Sequence, residues 1–85
     1  MKEFSYVIKD ELGLHARPAG QLAKKAMEFK SDIKLTVRGK TVDAKRIMGV
    51  MTLGAKNADE LTITCSGADE DAAIEALTKF VTENL

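Results

Sequence analysis

Apolar residues along this chain recur at a spacing of two in some segments and of three to four in others, and that alternation most limits the folds open to it. Residues 2–9, KEFSYVIK, alternate Phe4, Tyr6 and Ile8 with Ser5 and Val7, the period of a half-buried strand. From Ala16 to about Glu28, Ala19, Leu22, Ala23 and Ala26 recur at three and four while Lys24 and Lys25 turn away, which predicts an amphipathic helix. Residues 32–38, DIKLTVR, return to alternation through Ile33, Leu35 and Val37, and RGKT forms a tight turn into a short TVDA strand. The run KRIMGVMTLG is apolar but brief, and Gly49 and Gly54 limit it to a helix of one or two turns. Residues 59–66, DELTITCS, place Leu61, Ile63 and Cys65 on one strand face. The last segment, GADEDAAIEALTKFVTENL, opens a second long helix. Asp69 or a neighbour caps it, its first turn is acidic, and its apolar stripe is Ala73, Ile74, Leu77, Phe80 and Val81.

The resulting order is βαββαβα. Each strand and each long helix has a single apolar face, and a sheet covered by helices on one side satisfies them all. The expected fold is α+β: a two-layer, open-faced sandwich with a four-stranded antiparallel sheet and its helices on one face. At 85 residues the chain has room for one domain, spanning 1–85. Its 45% hydrophobic and 31% charged content is that of a folded chain rather than a disordered one.

Composition also removes several functions. The N-terminus, MKEFSYVIKD, has early acids and no long apolar run, so it reads as neither a signal peptide nor a membrane span, and the expected compartment is the cytoplasm. With no Trp and few aromatics, a stacking platform for nucleic acid is unsupported. The single cysteine, Cys65, lies in a strand-like run and reads as a buried structural thiol. No Cys and His cluster offers a metal site. The overall charge is zero, but residues 1–46 carry a net +5 and residues 47–85 a net −5, an asymmetry able to steer charged partners.

The chemistry concentrates in GLHARPAG, residues 13–20, which holds the only histidine and the only proline. His15 directly precedes the predicted first helix and is a candidate N-cap, leaving the N–H groups of Ala16 and Arg17 free. Pro18 has no N–H to lose in a first turn, although it makes the entry at Arg17 locally unfavourable. The positive end of a helix disfavours an imidazolium and favours an anion carried on the ring. A phosphoryl group on His15 would meet free N–H donors and the Arg17 guanidinium, a fork matched to phosphate oxygens. This stretch lacks a Gly-rich nucleotide loop and a carboxylate cluster for magnesium, which argues against an ATP-dependent kinase. A histidine that accepts and returns a phosphoryl group instead describes a relay protein, with other proteins as donor and acceptor. The plainer alternative is an ordinary capping or surface histidine beside a solvated arginine.

GLHARPA, with IMGVMTLGA and GADE at their spacings, resembles HPr, the histidine-containing phosphocarrier family of the bacterial phosphoenolpyruvate-dependent sugar phosphotransferase system. The similarity runs through essentially the whole chain. The resemblance implies that His15 is phosphorylated through Nδ1, with Arg17 assisting and the helix start, Ala16 to Pro18, receiving the phosphate. It implies enzyme I as donor, itself charged by phosphoenolpyruvate, and the A domains of sugar-specific enzymes II as acceptors, with no bound cofactor. By position, the partner surface would comprise Ala16, Gly20, Lys24, Ile47, Met48 and Met51. Flexible thioethers suit a surface that accepts several partners, whereas buried methionines would serve the core equally well. A monomer is expected for a carrier presenting one face to successive partners.

The chain departs from the family's pattern at Arg46. Many members carry a serine there, phosphorylated by a dedicated kinase to regulate sugar use, and arginine cannot accept that phosphate. Regulation of that type is therefore expected to be absent, with Ser31 and Thr52 as the alternative acceptors left open. Gly20, inside the first helix at a cost of about 1 kcal/mol relative to alanine, either admits a partner closely or is simply tolerated. Two other functions stay open on sequence: the same relay in a nitrogen-type regulatory branch, and a binding module that turns over no phosphate.

Overall fold

The computed structural model describes residues 1–85 and has the element order β1 (Lys2–Val7), α1 (Ala16–Ala26), β2 (Asp32–Val37), β3 (Lys40–Asp43), α2 (Ile47–Thr52), β4 (Glu60–Ser66) and α3 (Glu70–Asn84). The four strands form one antiparallel sheet in the order β1-β4-β2-β3. This is the expected α+β sandwich, with one face of the sheet under the helices. Ile33, Leu35 and Val37 of β2 and Leu61, Ile63 and Cys65 of β4 point into a single core. They meet Ala19, Leu22 and Ala26 of α1 and Ala73, Leu77 and Val81 of α3. Each fully buried leucine or isoleucine there contributes roughly 1.5–3 kcal/mol.

Phe4 and Tyr6 of β1 pack against this core but stay half-exposed, because β1 is an edge strand that the helices cover only in part. On the open face, hydroxyls pair across strands: Ser5 with Thr62 at 3.1 Å and Thr36 with Thr41 at 2.8 Å. Cys65 is fully buried, and loss of water around the thiol pushes its pKa up, so it is an inert structural group.

Asp69 stands at the N-cap position of α3, yet its carboxylate makes no capping bond to its own helix. It reaches instead to the turn after α1, accepting the N–H groups of Lys30 and Ser31 at 2.8 and 2.9 Å and the Ser31 hydroxyl. Glu70 Oε1 meanwhile accepts the Gly67 N–H at 3.1 Å. The Ser31 hydroxyl is thereby buried and occupied, and is no longer an available phosphate acceptor. These bonds, that from the Ser31 hydroxyl foremost, lower the Asp69 pKa below its ordinary 3.8. A lowered folded-state pKa contributes stability that is present above the unfolded value and lost as pH falls through the folded one. Replacing Asp69 with Asn should therefore flatten the fall in urea midpoint between about pH 4 and pH 2. An acid limb identical to that of the parent would remove Asp69 from this account.

Candidate functional site

The segment that delivers His15 is pinned from two sides. Lys9 and Asp10 donate their N–H groups to a main-chain oxygen of Leu85 at 2.6 and 2.7 Å, and Leu14 donates to the Ala55 carbonyl at 2.9 Å. Asp10 Oδ1 accepts the Leu12 N–H at 2.8 Å, closing a local turn. Gly13 then takes φ +65°, a left-handed conformation, directly against the backbone of Ala55 and Lys56. His15 follows with extended dihedrals (φ −90°, ψ −172°) at the N-cap of α1.

The His15 side chain makes no capping hydrogen bond and is exposed, so its ring is not spent on closing the helix. Its carbonyl accepts the Ala19 N–H at 2.9 Å, starting the helical ladder. Ala16 and Arg17 occupy the first two helical positions, where no intrahelical acceptor exists, and their N–H groups bond to nothing else in the protein. Arg17 is exposed and unpaired with any carboxylate. Pro18 is buried and, lacking an N–H, wastes no donor at this turn.

His15, Arg17 and Pro18 line a polar depression of about 250 Å³ together with Asp10, Gln21 and Asn84. The last three were not foreseen from the sequence. Gln21 had a signal, since it lies four residues after Arg17 and so shares its helical face. Asp10 and Asn84 had none, because the loop after β1 and the end of α3 meet only through the fold. Chemically the depression offers an exposed imidazole and a guanidinium at the positive end of an 11-residue helix whose first two N–H groups are free. That combination accommodates a covalently attached anion.

Of the residues expected to form a partner surface, Gly20 and Ile47 bring α1 and α2 together, and Ala16, Lys24, Met48 and Met51 lie exposed on the same two helices. Ala16, Gly20 and Lys24 follow one another at a spacing of four along α1. Gly20 borders α2 so closely that a Cβ would stand 3.2 Å from Ile47 Cδ1. The neighbour that this glycine admits is therefore the chain's own Ile47. On α2 only Val50 is buried, while Ile47 is 44%, Met48 71% and Met51 41% exposed. Both methionines are thus surface residues, and the core reading of them is set aside. Arg46 forms the N-cap of α2 without a capping bond and lies exposed, 3.9 Å from Asp43.

A family model described as the PTS HPr component phosphorylation site matches residues 2–83. The phosphocarrier protein HPr of Mycoplasma genitalium is 44% identical over 85 residues, covering 99% of this chain and 97% of that protein. A solved Mycoplasma histidine-containing phosphocarrier protein superposes with a TM-score of 0.94 at 41% identity, covering 96% of this chain and 93% of the other. The Bacillus subtilis catabolite repression protein Crh, a dimer with a swapped domain, matches with a TM-score of 0.78 at 38% identity, covering 100% of this chain and 98% of that one. No helix is long and apolar enough to cross a membrane.

Proposed function

The chain belongs to the HPr family of phosphocarriers of the phosphotransferase system, and on that premise we propose that a single copy accepts a phosphoryl group from enzyme I on His15 and yields it to the A domains of sugar-specific enzymes II. The observation that carries this reading is the exposed, uncapped imidazole at the N-terminus of α1, beside Arg17 and the two free N–H groups. In the first step the Nδ1 lone pair attacks phosphorus. A nitrogen–phosphorus bond forms as the donor's bond to phosphorus breaks, and that electron pair returns to the donor. The N–H groups of Ala16 and Arg17 and the Arg17 guanidinium hold the phosphoryl oxygens, with Pro18 shaping the turn. The second step reverses the first on the acceptor, so the carrier ends unchanged and requires no cofactor of its own.

Successive partners must dock over His15, and the exposed Ile47, Met48 and Met51 beside Ala16, Gly20 and Lys24 supply an adaptable apolar patch for both. The reading is tested with enzyme I, magnesium and phosphoenolpyruvate, followed by intact mass. One added phosphate, lost in mild acid, is the expected result. Absence of transfer from an enzyme I that charges another carrier would overturn it.

Regulation through a serine at the start of α2 is absent in this reading, because Arg46 has no hydroxyl. Thr52 is exposed, but its hydroxyl already donates to the Gly49 carbonyl at 2.7 Å. Incubation with an HPr kinase and ATP should leave the mass unchanged, and introducing Arg46→Ser should create an acid-stable phosphate. An acid-stable phosphate on the parent protein would contradict the proposal.

A further inference from the structure

The helix that carries Ile47, Met48 and Met51 has only six residues, too few to hold its own shape in water. Its own sequence gives its ends little help: Arg46 makes no capping bond, no acid lies in its first turn and no base in its last. The support comes from the β2–β3 hairpin. Lys40 Nζ donates to the Thr52 carbonyl at 2.9 Å, and the Arg38 guanidinium donates to the carbonyls of Leu53 and Gly54, each at 3.2 Å. Two cations thereby meet three successive carbonyls at the negative end of α2.

Arg38 is itself held in place. Its guanidinium pairs with the Asp59 carboxylate, which also accepts the Lys56 N–H at 2.8 Å. Its backbone sits at φ +51° as the first residue of a two-residue hairpin loop, a position where asparagine or glycine is favoured. Arginine works against the turn here, and its contacts to the end of α2 are what the turn gains from it.

The same connection runs on to the site. Ala55, next after Gly54, accepts the Leu14 N–H at 2.9 Å, and Leu14 directly precedes His15. Arg38 therefore grips a segment that bears on both the exposed residues of α2 and the approach to the histidine.

We propose that Arg38 is a positioning residue: by clamping the carbonyl end of α2 to the hairpin, it sets the pose in which α2, with its exposed Ile47, Met48 and Met51, packs against α1, the helix that His15 opens. Its functional consequence rests on the phosphocarrier reading, whereas its structural consequence can be read without it. Arg38→Asn keeps a side chain suited to the turn and removes the reach. Arg38→Lys keeps the charge and a shorter reach.

Amide hydrogen exchange and phosphoryl transfer from enzyme I test the proposal together. In Arg38→Asn, the amides of Val50, Leu53 and Gly54 should exchange about tenfold faster while those of β4 and α3 are unchanged. The KM for the carrier should rise about fivefold at constant kcat, and Arg38→Lys should recover part of both effects. Unchanged exchange at α2, acceleration spread evenly over the sheet, or a fall in kcat at constant KM would each overturn it. If the parent protein takes no phosphate, the phosphocarrier reading fails while the exchange measurement still decides the clamp.

Discussion

His15→Ala will fold and melt like its parent yet take up no phosphate from enzyme I. The ring is exposed and makes no capping bond, so its loss removes little from the folded state, and the stability change should stay within about 0.5 kcal/mol. Transfer, by contrast, loses the nucleophile that the proposed relay assigns to it. The free N–H groups of Ala16 and Arg17 and the guanidinium can still attract a phosphoryl group, but nothing remains to bond with phosphorus, and the rate should fall by at least about a thousandfold. Intact mass after incubation with enzyme I and phosphoenolpyruvate, beside a thermal melt, reads both halves. A variant that still gains an acid-labile phosphate would place the nucleophile elsewhere.

Gly13→Ala should produce the opposite pattern, a large loss of stability from a change that touches no reacting group. A Cβ at Gly13 would stand 2.4 Å from the Ala55 carbonyl oxygen and 2.7 Å from Lys56 Cα. Both are backbone atoms and cannot rotate away as a flexible side chain could. The left-handed backbone, φ +65°, adds about 1–2 kcal/mol for any residue with a Cβ, and the forced separation adds about 1–3 kcal/mol. We expect about 3 kcal/mol in total by urea titration, with the Leu14 to Ala55 hydrogen bond lost and the approach to His15 loosened. Gly39→Ala is the control: it has φ +80° but nothing within 4 Å, so only the conformational part applies. Equal losses in the two variants would show that the contact with Ala55 does not matter.

Where a property depended on neighbours in the chain, it was legible beforehand. Ile33, Leu35 and Val37 alternate, and they form the buried face of β2. Ala19, Leu22, Ala23 and Ala26 recur at three and four, and they form the buried face of α1. The first helix stops at Ala26 rather than near Glu28, because Glu28 and Phe29 turn to carbonyls three residues back and Asp69 takes the next two N–H groups. That boundary is set by a residue some forty positions away, which no local pattern records.

Asp69 shows the same division from the other end of the contact. Its position before an acidic first turn marks the start of α3, whereas its carboxylate serves a different element altogether. Met48 and Met51 had two readings of equal standing, and their exposure was decided by α2 burying Val50 alone. In sequence RGKT reads as a tight turn and no more, and the partners of Arg38 on Leu53, Gly54 and Asp59 appear only once the hairpin folds over α2.

By itself, the sequence determined the seven elements, the buried faces of β2, β4 and α1, and the placement of His15 at a helix N-terminus beside Arg17. These follow from period, turn chemistry and the geometry of a single helix end, all of which act over a few residues. Tertiary structure alone decided that β4 lies between β1 and β2, that Asp10 and Asn84 share a depression with the histidine, and that α2 is gripped from the hairpin. The reason is that periodicity specifies which side chains share a face, while the element covering that face is chosen by the packing of all the others.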